Sequence, residues 1–233
     1  MLITMNTKIY RLFIVLLISF SVSALNAKDL EPRAERNNSL GLYLSADVFG
    51  YIYPIFVKDK YYSSDISATL DINNRFFPTV EVGLGHADMV SQLYEINYRT
   101  RAPYYRVGMD YNVQYKNEKP GYIYLGIRAG YTSFDYSVEA PSLVDPVWGN
   151  EVPVKLENLS CRAVWGEAVG GLRAEIASNF YMGWSLRYKY PLYRAPIANG
   201  GPWYIPGFGT GSKGVLGATY TISYYFNFTK KKK

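Results

Sequence analysis

The chain has 233 residues, the size of one domain, and it contains 24 tyrosines, one cysteine and one histidine. Its formal charge of +6 comes from Lys8, Arg11 and the terminal lysines 230–233, which leaves 19 basic and 19 acidic residues in the body. These counts argue against a nucleic-acid-binding face, a disulfide scaffold and a Cys/His metal site. We therefore expect no metal ion, no cofactor and no nucleic-acid partner.

The N-terminus has the order of segments that is typical of a secretory signal peptide. A basic stretch at 6–11 is followed by an apolar run at 12–22 and by small residues up to Ala27. The run is shorter than the ~20 residues that a membrane-spanning helix needs. We predict a signal peptide at 1–27, a short periplasmic segment at 28–39, a barrel at 40–228 and a basic tail at 229–233.

The body of the chain alternates between apolar and polar residues with a period of two, which is typical of β-strands. The alternation is strongest in 105–115, 180–190 and 216–228. Weaker examples bring the number of predicted strands to eight, and they are 40–51, 64–72, 75–86, 122–136 and 161–177. Aromatic residues cluster near both ends of the apolar face, which is typical of the two girdles at bilayer interfaces.

The connections between the predicted strands alternate in length. The turns at 73–74, 116–121 and 178–179 are short, whereas 52–63, 87–103, 137–160 and 191–213 are long. An even strand number with this alternation is typical of outer-membrane barrels, whose sheet closes because hydrocarbon offers no hydrogen-bond partners. We predict an all-β fold, an eight-stranded antiparallel up-and-down transmembrane β-barrel in the cell outer membrane, with both termini periplasmic.

The face opposite the apolar one carries charges of both signs, which suits an interior where buried charges neutralise one another. We predict that a luminal charge network consists of Asp47, Asp71, Glu81, Asp110, Glu175, Arg106, Arg128, Arg173, Arg187 and Lys189. Gly170 and Gly171 could shift the phase of their strand, so the inward assignment of Glu167 is weaker than that of Glu175. Large side chains are predicted to fill the same lumen, namely Phe49, Phe77, Tyr104, Tyr122, Tyr124, Tyr181 and Tyr225.

The predicted barrel resembles a known family, most closely after residue 120. The segments YLGIRAGY (124–131), WGEAVGGLRAE (165–175), YIPGF (204–208) and GATYTISYY (217–225) carry the resemblance. They are similar to an uncharacterised family of outer-membrane β-barrel proteins of Gram-negative bacteria, a domain of unknown function. The resemblance implies an outer-membrane-type barrel and supplies no activity or catalytic residues.

His86 is the only imidazole, and the alternation places it on the lipid face near a long loop. Some barrel enzymes that trim lipid A work from that face with a His and a Ser, so a lipid A-modifying enzyme is one alternative. A hydrolytic triad also needs a positioned hydroxyl and an acid, for which Ser91 and Asp88 are merely near in sequence. We predict no catalytic residues. A small-solute channel through the charged lumen is the other alternative.

Two of the long loops are rich in proline and aromatic residues. The loop 137–160 contains Trp148, and the loop 191–213 contains Trp203, Tyr204 and Phe208. These four aromatics are candidate contacts with a partner, and they could equally fold over the barrel mouth as a lid. We predict a non-enzymatic outer-membrane protein, structural or ligand-binding through its extracellular loops. The expected partners are outer-membrane lipid, lipopolysaccharide or another envelope protein.

Overall fold

A computed structural model describes residues 40–50, 61–91, 96–116, 121–144, 151–195, 201–211 and 213–228. The predicted signal peptide, periplasmic segment and basic tail lie outside the described residues, and so does Trp148. Within the described ranges, no helix is both long enough and apolar enough to cross a membrane.

The fold is a closed antiparallel barrel of eight strands with a small hairpin inserted before the last one. In chain order the strands are β1 (Leu40–Asp47), β2 (Tyr61–Ile72), β3 (Phe76–Val90), β4 (Asn97–Asn112), β5 (Gly121–Val144), β6 (Glu151–Ala177), β7 (Phe180–Ala195), β8 (Tyr204–Ile205), β9 (Gly209–Thr210) and β10 (Val215–Asn227). The ring order is β1-β10-β7-β6-β5-β4-β3-β2, and β8 and β9 form a separate two-stranded sheet. The prediction of an eight-stranded up-and-down barrel is confirmed.

Several strands continue into stretches that the sequence predicted as loops. Strand β4 begins at Asn97, and the β5–β6 ladder continues as far as the pair Val144–Glu151. Strand β1, in contrast, ends at Asp47, four residues before its predicted end. The extensions escaped prediction because their outward residues are polar, as at Arg99 and Arg101, so no apolar alternation marks them.

The outer surface of the barrel is an apolar band bounded by aromatic residues. Its exposed aliphatic residues are Ile66, Val80, Val82, Leu84, Val107, Leu125, Ile127, Leu186 and Leu216. Exposed aromatics at the short-turn end are Phe76, Phe180, Tyr224, Phe226 and Phe228, and those toward the opposite end are Tyr105, Tyr131, Tyr188, Tyr190 and Tyr193. A closed ladder inside such a band is the exterior of a membrane-spanning barrel.

Candidate functional site

The interior of the barrel is filled in three layers. At the short-turn end, aromatic residues pack together around Tyr43, and they are Tyr43, Phe77, Tyr122, Tyr124, Tyr181 and Tyr225, with Val169. At the opposite end, a second buried cluster includes Tyr98, Tyr104, Phe134, Tyr136, Cys161, Trp165, Tyr204, Ile205 and Phe208. Between these two layers lies a layer of charged side chains. The period of two decides which side chains face the lumen. In β3, for example, the buried Glu81 alternates with the exposed Val80 and Val82.

Glu81 is the centre of the charged layer, because three arginines bind its carboxylate. Arg106 Nη1 donates to Oε2 at 2.9 Å, and Arg187 donates to both oxygens at 2.7 and 3.2 Å. Arg128 Nη1 donates to Oε1. All four side chains are buried. Charge-assisted bonds of this kind offset the cost of removing the ions from water.

Three further acids complete the charged layer. Arg106 Nη1 lies 2.9 Å from Asp65 Oδ2, and Arg128 Nη2 lies 2.8 Å from Asp110 Oδ2. Glu167 lies 2.8 Å from Arg106 Nε, an ion pair without hydrogen-bond geometry, and 3.5 Å from Arg187 Nη1. A network in which each arginine contacts at least two acids binds strands together across the lumen.

The other acids of the predicted network have different partners. Asp47 accepts the backbone N–H of Phe49 at 3.0 Å, and Asp71 accepts the Tyr225 hydroxyl at 2.9 Å. Glu175 is half-buried and accepts the Tyr181 hydroxyl at 2.8 Å. Among the described residues, no ion pair joins an arginine to Asp47 or to Glu175. Asp71 and Glu175 lie at strand ends beside the short turns, in the aromatic layer.

Arg173 and Lys189 also point inward, as predicted, but their contacts are not carboxylates. Arg173 donates to the Tyr122 hydroxyl at 3.1 Å and lies 4.5 Å from the centre of the Tyr43 ring. Lys189 Nζ donates to the Gly207 carbonyl oxygen at 2.7 Å. Arg173 therefore belongs to the aromatic layer at the short-turn end, and Lys189 to the boundary with the inserted hairpin.

Sequence reasoning missed Asp65 and undervalued Glu167. Asp65 lies on the same face of β2 as Asp71, so the period of two was sufficient to find it. The β5–β6 register continues unbroken through Gly170 and Gly171, which therefore leave Glu167 inward. The β6–β7 pairing is irregular after Val164 and after Glu175, and both Glu167 and Glu175 nevertheless have hydrogen-bond partners inside the barrel.

The hairpin β8–β9 closes the long-loop end of the lumen. Its turn has Pro206 and Gly207 at the central positions, with Gly207 at φ 77° and the Phe208 N–H donating to the Ile205 carbonyl at 3.1 Å, as a type II turn requires. The Gly207 carbonyl accepts from Arg106 Nη2 at 2.9 Å as well as from Lys189. The hairpin is therefore bonded to the charged layer through its own backbone.

Two of the four predicted contact aromatics are inside the barrel. Tyr204 and Phe208 are buried, and burial raises the pKa of the Tyr204 phenol above its usual range. Trp203 remains 37% exposed and stacks on Tyr98 with ring centroids 5.7 Å apart. Tyr204 and Phe208 are therefore not an exposed contact surface. The lid alternative describes them better, because their large apolar rings are removed from water by packing against the lumen wall.

His86 lies on the outer face of β3, with its ring 5.2 Å from that of Tyr62. Asp88 pairs with Arg99 at 3.5 Å instead of with the imidazole. In the part of the chain that the structure describes, no hydrogen bond joins His86 to Ser91 or Asp88, and no group of three His, Cys, Asp or Glu side chains could hold a metal ion. The elements of a hydrolytic triad are not brought together at this position.

Solved structures similar to this chain include several barrels. The N-terminal β-barrel domain of OprF from Pseudomonas aeruginosa is 12% identical with a TM-score of 0.38, covering 82% of this chain and 98% of that one. Ail of Yersinia pestis, solved with the heparin analogue sucrose octasulfate, is 11% identical with a TM-score of 0.40, covering 81% and 97%. A major outer membrane protein from Thermus thermophilus is 13% identical with a TM-score of 0.42, covering 81% and 98%.

No curated protein matches the chain. A family model does match, over residues 5–231, which is nearly the whole sequence. The fold is an outer-membrane-type β-barrel, and the chain belongs to the family described as Domain of unknown function (DUF6048).

Proposed function

We propose that the protein is a non-enzymatic barrel of the outer membrane that does not conduct solutes and acts through its extracellular surface. One observation carries the proposal: the Gly207 carbonyl is bound by Arg106 and Lys189, so that the hairpin joins the charged layer and fills the mouth. The lumen is occupied in this way by side chains and backbone, as the interior of a small barrel commonly is. A filled lumen stabilises the barrel and leaves no open path for solutes.

The proposed contact surface is the part of the barrel that extends beyond the apolar band. Strand β6 extends there beyond the end of its ladder with β7, and its residues Lys155, Leu156 and Glu157 are all exposed. Trp203 adds a half-exposed indole at the mouth. Partly exposed aromatic and aliphatic side chains beside charges are typical of protein contact sites. The partner is another envelope protein or the lipopolysaccharide around the barrel.

Co-purification from intact cells after cross-linking tests the proposal. We expect a defined envelope protein, or lipopolysaccharide, to be recovered with the wild type and to be reduced at least fivefold in a Trp203→Ala, Leu156→Ala double variant. Leu125→Ala, which removes an even more exposed side chain within the apolar band, is the matched control and should recover the same partner as the wild type. Recovery unchanged by the double variant contradicts the proposed surface.

A further inference from the structure

A cavity of about 360 Å³ lies on the outer wall of the barrel, toward the long-loop end. Strands β3 to β6 form its wall, and its lining includes His86, Asp88, Arg99, Arg101, Asp135 and Glu157. Arg99 and Arg101 are exposed and share the outward face of β4 with Tyr105, one of the aromatic residues that bound the apolar band. The cavity therefore belongs to the surface that faces the surrounding membrane and not to the lumen.

The cavity lies at the level of the lipid head groups. Arg101 is four residues closer to the long loops than Tyr105 is. Strands rise ~3.4 Å per residue and tilt by ~40° in such barrels, so Arg101 lies ~10 Å further out than Tyr105 along the barrel axis. The long loops of outer-membrane barrels are extracellular, so the neighbouring head groups are those of the outer leaflet, which contains the lipopolysaccharide.

Two nitrogen-bearing side chains meet at this cavity. In the β3–β4 register His86 lies directly opposite Arg101. Residues that are opposite each other on one face of an antiparallel pair have Cβ atoms ~4.5–5.5 Å apart. The imidazole of His86 and the guanidinium of Arg101 therefore extend from neighbouring positions on the cavity wall, and one anionic group can contact both.

The acids of the cavity have partners, whereas Arg101 is unpaired. The contacts of the acids are Asp88–Arg99 at 3.5 Å, Glu157–Lys155 at 2.6 Å and the hydrogen bond from the Ser160 hydroxyl to Asp135 at 2.7 Å. In the described part of the chain, the Arg101 side chain has no hydrogen bond, ion pair or ring contact. Its five N–H donors are therefore available, and a guanidinium binds a phosphate through two parallel hydrogen bonds.

We propose that this cavity binds the phosphorylated glucosamine head group of lipid A, the membrane anchor of lipopolysaccharide. A phosphate binds the guanidinium of Arg101, with the imidazole of His86 as a second donor. The volume falls within the ~300–1,000 Å³ of small-molecule sites, so the cavity has room for a sugar as well as the phosphate. Ser137 and Asn158, which also line it, offer hydrogen-bonding groups to the sugar hydroxyls.

The acyl chains of the bound lipid continue along the apolar band. Leu84 and Tyr105 are exposed on the outward faces of β3 and β4, on the membrane side of His86 and Arg101. The inference goes beyond the function proposed above, because the cavity lining does not include Trp203 or Leu156. With lipid A held here, the surface of Trp203 and Leu156 is left to an envelope protein.

Native mass spectrometry of the purified protein in a non-ionic detergent, titrated with diphosphoryl lipid A, tests the site. We expect saturable binding of one lipid A by the wild type and at least tenfold weaker binding by Arg101→Gln, which removes the charge. His86→Phe keeps a ring beside Tyr62 and removes the nitrogen atoms, so it should bind at least threefold more weakly. Arg75→Gln is the matched control and should bind like the wild type, because Arg75 is exposed at the short-turn end, 5.1 Å from the Phe76 ring.

Two further lipids test the head group without any change to the protein. Dephosphorylated lipid A lacks the phosphates and phosphatidylglycerol lacks the sugar, so each should bind the wild type at least tenfold more weakly than lipid A. The Trp203→Ala, Leu156→Ala double variant should bind lipid A like the wild type, so that failure of the surface proposed above leaves this site standing.

Heat-modifiable gel mobility checks the folding of each variant. The proposal is overturned if the wild type binds no lipid A, or if either of the two other lipids binds as tightly. It is also overturned if folded Arg101→Gln or His86→Phe binds lipid A as the wild type does, or if Arg75→Gln or the double variant weakens binding as much as Arg101→Gln.

Discussion

Arg187 and Glu81 meet across the full width of the barrel. They lie on β7 and β3, which are four strands apart in either direction around the ring of eight, yet Arg187 Nη1 lies 2.7 Å from Glu81 Oε2 and Nη2 lies 3.2 Å from Oε1. A two-point contact between opposite walls fixes the cross-section of the lumen and uses both oxygens of the carboxylate. Because both ions are buried, removal of either side chain would deprive the other of a counter-charge in the lumen.

Glu81→Gln is expected to destabilise the barrel strongly. The change leaves Arg106, Arg128 and Arg187 buried without their shared counter-charge, and loss of one partner of a buried pair costs about 3–5 kcal/mol. Urea unfolding in detergent or lipid, followed by tryptophan fluorescence, measures the change in unfolding free energy.

The matched control for this variant is Glu157→Gln. Glu157 pairs with Lys155 at 2.6 Å, but both side chains are exposed to water, so the unfolding free energy should be almost unchanged. Equal effects of the two substitutions would mean that the central network does not hold the barrel together.

The alternation of residues was sufficient to predict the eight strands and the inward position of Glu81, Arg106 and Arg187. Successive side chains of a strand point to opposite faces, so the sequence of one strand is enough to separate its inward from its outward residues. It could not predict which acid meets which arginine, since those contacts join strands that are distant in sequence. The position of the β8–β9 hairpin was also beyond sequence reasoning. Its attachment depends on the Gly207 carbonyl, a backbone group that no residue pattern marks, and Tyr204 and Phe208 suit a lid and a contact surface equally.

Gly126→Ala is expected to weaken the charged layer by steric displacement. A Cβ at Gly126 would collide with the Asp110 carboxylate, which binds Arg128 at 2.8 Å. Overpacking of this kind costs about 1–3 kcal/mol. The control is Gly166→Ala on β6, where the nearest atom to a new Cβ is 3.7 Å away, so its stability should be unchanged or slightly higher. Chemical unfolding measures the change in unfolding free energy of both variants. An unchanged unfolding free energy for Gly126→Ala would contradict the close packing of Gly126 against Asp110.

Gly207→Ala is expected to release the hairpin from the lumen. Gly207 has φ 77°, and a Cβ there would collide with the ring of Tyr104. In a Cys161→Ser, Phe208→Cys background, maleimide labelling should be slow, because position 208 is buried, and Gly207→Ala should accelerate it at least tenfold.

Gly211→Ala separates backbone strain from the collision with Tyr104. Gly211 also has positive φ, at 114°, but no atom of the described residues beyond its chain neighbours lies within 4 Å of a Cβ at that position. Labelling at position 208 should remain slow in this control. Fast labelling of the Cys161→Ser, Phe208→Cys protein with Gly207 intact would show that the hairpin does not stay in the lumen.

Conductance in planar lipid bilayers tests most directly whether the lumen is filled. The wild type should insert into the bilayer without giving steady single-channel currents. A variant in which 203–210 is replaced by a Gly-Ser linker of equal length should give at most brief, unstable openings. The charged layer below the hairpin is still present in this variant and joins opposite strands. A steady conductance through the purified wild-type protein would contradict the account.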